Sequence, residues 1–371
     1  ARGAQGVVVS YAPEDGFNPE SHECVTRMQI AQQLATLKGY EFAGEYDESA
    51  PYAGAVYYVP SRTLVGPETA ARLGIRDEHD LFGGVVPHAF VCTKTITHPL
   101  VNDARVPEGW CPHFTAAVTG AVLAGHAAFT REDAERAGQK LFEHGPVRVK
   151  PALAVGGRGQ SVVKDMVALK RALAEIDARE LASCGVVLEQ NLEDVTTYSV
   201  GQVCVAQLIA TYVGTQGLTT DHHGAEVYGG SDLIVARGNF DALLTLDIGS
   251  QARRAVMQAR TYDQAASKYY RGFFASRRNY DIAEGRDCEG RTCCGVLEQS
   301  WRVGGASGAE IAALEAFDAD PELQAVRARC IETYGPCEPP PRDAMVYFCG
   351  VDEKVGPITK YTVIEPYVDT R

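Results

Sequence analysis

Four stretches of this 371-residue chain carry residue types that handle phosphates and hard cations. In "VRVKPALAVGGRGQSVVKD" an apolar run ends on Lys150, and Gly156, Gly157, Arg158 and Gly159 follow at once. A strand lysine beside a glycine loop offers a phosphate one ammonium and several free backbone N–H groups. The stretch lacks the GK[ST] ending of a P-loop, and a β-type run follows it instead of a helix. By itself it reads equally as a hairpin turn or as a lid over a phosphate.

The second stretch, "VVLEQNLED", delivers Glu189 from a buried strand and continues through Leu192 to Glu193. A carboxylate there can accept the amino group of adenine, and the backbone beyond it can read the rest of that edge. The plain alternative is an exposed strand end. The third, "YDIAEGRDCEGRTCCGVLEQSWRVGGASG", sets Asp281 and Glu298 on two strands joined by a loop. Two carboxylates brought together suit a hard cation such as magnesium, with Ser300 adding an oxygen and Arg302 a fixed positive charge. A solvated hairpin rim explains the carboxylates but not the Gly-Gly-x-Ser-Gly that follows. In the fourth, "VCTKTITHPLVNDARVPEGW", Lys94 leaves a strand and enters a helix-like turn.

These residues need a scaffold of alternating strands and helices. "GVVVSYA" (6–12), "GAVYYVP" (54–60) and "HAFVCTKTI" (88–96) read as strands. Between them lie a helix ending at Gly39 and a short one opened by Pro67, so a parallel sheet is expected. "TREDAERAGQKLFEHG" (130–145) reads as a helix capped by Thr130, and 166–185 as one long helix. Residues 196–237 are strand-rich, 250–274 helical, two strands surround 280–298, and a helix covers 309–317. A hairpin is expected in the tail.

Hydrophobic residues make up 45% of the chain and charged residues 22%, ordinary for a globular protein of two or three lobes. The net charge of −13 argues against a general nucleic-acid binder. "FTAAVTGAVLAGHAAF" (114–129) is too short to span a membrane. No signal-peptide-like apolar run precedes the first strand, so the cytoplasm is expected. Eleven scattered cysteines read mostly as thiols, and "CEGRTCC" lacks the ligand spacing of a zinc site.

Taken together and in this order, the four stretches resemble the ATP-grasp superfamily, close to its biotin-carboxylase-like branch, over roughly residues 6–317. "RRNYDIAEG … VLEQSWRVGGASGAEI" is also similar to a proteobacterial family of uncharacterised proteins. The resemblance implies an α/β fold. Residues 1–110 would form a Rossmann-like N-terminal lobe and 111–190 a lid subdomain. Residues 191–320 would form a C-terminal antiparallel-sheet lobe with the metal site, and 321–371 an extension outside the superfamily. That extension is expected to lengthen the C-terminal sheet or to form a dimer edge.

The resemblance further implies ATP and Mg²⁺ as cofactors. Lys94, Lys150 and the 156–159 loop would hold ATP phosphates, and Glu189, Leu192 and Glu193 the adenine. Asp281, Glu298 and Ser300 would hold magnesium, although Ser300 stands where the superfamily most often has Asn. Arg302 and Lys150 would stabilise transferring charge. The activity implied is ligation of a small carboxylate to an amine or thiol through an acyl-phosphate. Arg237, Arg277, Arg278, His222 and His223 are the substrate candidates. A carboxylase, a phosphotransferase and a non-catalytic nucleotide binder or scaffold remain alternatives.

Overall fold

Residues 5–12, 18–154, 159–336 and 339–368 are described by the structure, a computed structural model. All six residues of β1 (Gly6–Tyr11) are buried, as an unbroken apolar run requires of a central parallel strand. Ser21 caps α1 (His22–Lys38) by accepting from the Cys24 N–H, and Gly39 at φ 64° ends it. β2 (Glu41–Glu45) and β3 (Ala55–Pro60) flank β1 in a parallel sheet of order β2-β1-β3. β4 (Leu64–Val65), α2 (Pro67–Arg72) and β5 (Gly84–Val86) complete this lobe.

The expected strand at 88–96 is instead two 3-10 turns, Ala89–Cys92 and Lys94–Thr97. The Thr93 hydroxyl joins them, donating to the Phe90 carbonyl at 2.8 Å and accepting from the Thr95 N–H at 3.3 Å. Residues 93–98 are all buried. A continuously buried run shows no alternation from which its period could be read.

The second lobe runs through α3 (Pro112–Val118), β6 (Gly125–Ala128), α4 (Arg131–Phe142), β7 (Val147–Pro151), β8 (Ser161–Val163), α5 (Met166–Ala174), α6 (Ala178–Cys184) and β9 (Val186–Gln190). Its sheet is antiparallel, of order β6-β9-β7-β8. The long helix expected over 166–185 is broken in two. Asp177 accepts from the N–H groups of Arg179 and Glu180 and so starts α6 afresh. Ala134, Leu141, Val149, Leu169 and Leu188 belong to a core that this lobe keeps to itself.

The third lobe contains β10 (Glu193–Val205), β11 (Leu208–Thr220), β12 (Glu226–Arg237), α7 (Phe240–Leu244), α8 (Ser250–Tyr269), β13 (Phe274–Ala275), β14 (Arg277–Arg286), β15 (Thr292–Ser300), α9 (Ser307–Ala319), β16 (Ala325–Tyr334), β17 (Met345–Asp352) and β18 (Gly356–Pro366). Eight strands form one antiparallel sheet of order β15-β14-β10-β11-β12-β16-β18-β17. The tail therefore lengthens this sheet, with β17 at its edge. Val8, Ile30 and Leu34 of the first lobe share a core with Tyr212 and Leu233 of the third and with Tyr347 of the tail.

Among the described residues, no helix is long and apolar enough to cross a membrane. Among them, no group of three or more His, Cys, Asp or Glu side chains is placed to hold a metal. Among the described residues, nine cysteines are free thiols and Cys349 is disulfide-bonded.

Candidate functional site

β14 and β15 pair in a register that sets Asp281 directly opposite Glu298, so both side chains share one face. Asp281 also accepts a hydrogen bond from Gln216 Nε2 of β11, at 2.7 Å. Burial and the opposed charge of Glu298 push the Asp281 carboxyl well above the usual carboxylate range. Two carboxylates that resist joint ionisation suit a hard cation, whose charge would relieve both. The donor set thus fits Mg²⁺, with substrate phosphates supplying further oxygens as such sites commonly do.

Lys94 is 3% exposed, with Nζ 3.0 Å from Glu298 Oε2 and 2.6 Å from the carbonyl oxygen of Ala154. It therefore links β15 to Ala154, which follows β7. Its turn is fixed by Gln299, the residue after Glu298. Gln299 Nε2 donates to the carbonyls of Val91 and Thr93, both at 2.8 Å, and Oε1 accepts from the Tyr262 hydroxyl. Neither Gln216 nor Gln299 was legible as a site residue, because both act on groups distant in sequence.

Lys150, on β7, reaches across the sheet to Glu189 on β9, Nζ to Oε1 at 2.5 Å. The other oxygen, Oε2, is 2.8 Å from His98 Nε2. Burial alone would raise the Glu189 pKa, but the Lys150 ammonium and the His98 hydrogen bond outweigh it and hold the carboxyl down at about 2. Each oxygen therefore already has one partner inside the protein. The backbone beyond it joins β9 to β10, with the N–H of Gln190 donating to the Ala124 carbonyl at 2.9 Å and that of Asn191 to the Pro146 carbonyl at 3.1 Å. Leu192 packs there with Leu123 and Ala283.

Arg277 is not a substrate group. It is 1% exposed and held by Glu310 of α9, with Nε 3.0 Å from Oε2 and Nη2 2.8 Å from Oε1. Its Nη1 donates to the Ser300 hydroxyl and carbonyl, both at 3.2 Å, and to the Arg302 carbonyl at 2.6 Å. The Ser300 oxygen expected on magnesium thus already accepts from a guanidinium. The Arg302 side chain donates to the Val303 carbonyl and has no carboxylate within ion-pair distance among the described residues. Burial and the adjacent Arg277 charge weaken its hold on its proton.

The remaining substrate candidates lie elsewhere. Arg237 donates to the carbonyls of Leu323, Phe317 and Asp320, finishing α9 and the turn after it. Arg278 pairs with Asp263 of α8 at 3.1 Å. His222 and His223 are exposed on the β11–β12 loop, and His222 lies 3.1 Å from the Pro357 carbonyl in the tail. Glu193 is exposed at the start of β10. Gly156, Gly157 and Arg158 lie outside the described residues, and Gly159 has φ 70°.

A family model described as "Protein of unknown function (DUF3182)" matches residues 10–362. The chain belongs to this family. Among solved structures, N5-carboxyaminoimidazole synthetase from Staphylococcus aureus, complexed with ADP, matches at TM-score 0.52 and 12% identity, covering 99% of this chain and 95% of its own. Carboxyaminoimidazole ribonucleotide synthase from Aspergillus clavatus, complexed with ATP, matches at 0.50 and 11%, covering 98% and 94%. Biotin carboxylase from Campylobacter jejuni gives 0.49 and 13%, covering 97% and 88%. No curated protein matches the chain. The fold is that of the ATP-grasp enzymes.

Proposed function

We propose that this DUF3182 protein is an ATP-dependent ligase that joins a small-molecule carboxylate to an amine or thiol. The observation that carries the reading is the Asp281–Glu298 pair with Lys94 bound to Glu298 and to the Ala154 carbonyl. Opposed carboxylates beside a buried lysine are the parts that phosphoryl transfer needs, because negative charge must be neutralised as it moves. Asp281 and Glu298 would hold Mg²⁺, which when bound supplies Lewis-acid charge to phosphate oxygens. Lys94 and Lys150 would fix the phosphates, and 190–192 would face the adenine.

In the first step, a substrate carboxylate oxygen attacks the γ-phosphorus and the bond to the β,γ-bridging oxygen breaks, releasing ADP. In the second, the amine or thiol attacks the acyl carbon, phosphate leaves with the bonding pair, and the nucleophile gives up its proton. Arg302, with no carboxylate within ion-pair distance among the described residues, would offset the charge that builds up on the acyl-phosphate.

The test is a thermal shift with ATP and Mg²⁺ on the parent, Glu298→Ala and Lys150→Ala. Saturation at about a hundred times Kd adds about 2.7 kcal/mol, a shift of several degrees. The parent should show it and both variants should lose most of it. Phosphate release dependent on both an acid and a nucleophile would then establish ligation. ATP binding without such release from a broad panel of acids and amines would favour a nucleotide-binding role.

A further inference from the structure

Glu189 is 1% exposed and makes two contacts, Lys150 on one oxygen and His98 on the other. His98 is wholly buried and follows directly on the turn that begins with Lys94. Gly125, opposite Glu189 in the β6–β9 register, leaves the room the ring needs, since a Cβ there would lie 2.9 Å from His98 Nδ1. His98 Nδ1 is buried and finds no hydrogen-bond partner among the described residues. An ionised carboxylate can only accept, so Nε2 carries the proton, and the partnerless Nδ1 is least costly as a bare lone pair.

We propose that His98 is a positioning residue for the phosphate-binding face of the site. Its Nε2–H holds Glu189 ionised and oriented, and Glu189 in turn aims the Lys150 ammonium. One short turn would then serve both lysines, Lys94 directly and Lys150 through His98 and Glu189. The proposal rests on the nucleotide reading above for its consequence but not for its geometry. Nothing in the chain's sequence separates His98 from its eight other histidines. Only the pairing of β6 with β9 brings it to Glu189.

The experiment compares the parent with His98→Ala and His98→Gln, since a glutamine amide reproduces the Nε2 donor. In nucleotide-free protein, carboxyl ¹³C NMR should show Glu189 protonating at higher pH in His98→Ala and at the parental pH in His98→Gln. Dissociation constants for ATP with Mg²⁺ and for adenosine are then measured. ATP affinity should fall about tenfold in His98→Ala, with adenosine unchanged and His98→Gln close to the parent. An unchanged Glu189 titration overturns the proposal, whether or not nucleotide binds. Equal weakening of ATP and adenosine also overturns it, because that marks a structural role alone. Failure of the parent to bind ATP overturns the ligase reading and leaves the NMR result to decide on His98.

Discussion

A carboxylate as deeply buried as Glu189 stays ionised only because Lys150 and His98 stabilise its charge more than burial opposes it. Its pKa is lower in the folded chain than in the unfolded one. Its contribution is therefore full above the ordinary glutamate value and is lost as pH falls towards the folded one. From 4.5 down to about 2, at about 1.4 kcal/mol per factor of ten, the interaction is worth about 3 kcal/mol. Urea unfolding at pH 5 and pH 3 should show the parent losing about 2 kcal/mol more than Glu189→Gln over that interval. A second prediction concerns Arg277. Replacing it with Met leaves Glu310 charged in a site with no exposure, so stability should drop by about 3–5 kcal/mol in urea titrations. Substituting Arg277 and Glu310 together with apolar residues should recover much of that loss. Through the resemblance that their order carries, Lys94, Lys150, Asp281 and Glu298 were legible as candidates. The arginines were not. What distinguishes Arg237 and Arg277 from substrate-binding groups is a set of backbone carbonyls and one carboxylate, up to 86 residues away.

At the scale of elements, the turn from Ala89 to Thr97 does more for the site than any helix, and its type was not legible. Its apolar run invites a strand, and the competing force is local: Thr93 satisfies the backbone on both sides of itself. The break between α5 and α6 has the same origin, since Asp177 caps a new helix where the apolar period would let one continue. β2 and β16 went unread because each is polar enough to pass for loop and depends on a neighbour already in place. Strands and helices with their own pattern, such as β1, α1 and the β14–β15 hairpin, were legible. Gln299 tests the importance of the Lys94 turn. Gln299→Leu should leave the carbonyls of Val91 and Thr93 without their donor, at about 1–3 kcal/mol of stability. It should also weaken ATP binding, because Lys94 loses its fixed height above Glu298. Urea midpoints and ATP titrations on the same variant measure both. Stability loss with unchanged ATP affinity would show that the turn positions nothing.

At the scale of the molecule, the cores divide the chain unevenly. Residues of β6 to β9 and α4 to α6 form a core of their own, while α3 of the same lobe packs on α8 of the third, with Phe114 and Val118 in one core with Val256, Tyr262 and Ala266. The first and third lobes share a core, and the tail ties them. Asp352, at the end of β17, accepts from the His22 N–H at the start of α1, at 2.8 Å. The Tyr347 hydroxyl donates to Gln33 on the same helix, at 2.9 Å, and Gln33 donates to Glu315 of α9. The tail is thus part of the scaffold that holds Asp281 and Glu298 against the first lobe. A chain ending at residue 320 would expose the edge of β12 from Gly230 to Ala236, which β16 pairs, and uncover apolar surface of α1 and α9. It should be recovered aggregated or unfolded, and not as a trimmed protein with ATP affinity. A gentler variant separates scaffold from site. Tyr347→Phe removes one buried hydrogen bond and should cost about 0.5–1.5 kcal/mol by urea titration with little change in ATP affinity. If instead the truncated chain folds and binds ATP as the parent does, the tail is an appendage, and the shared core must be held by α1 and α9 alone.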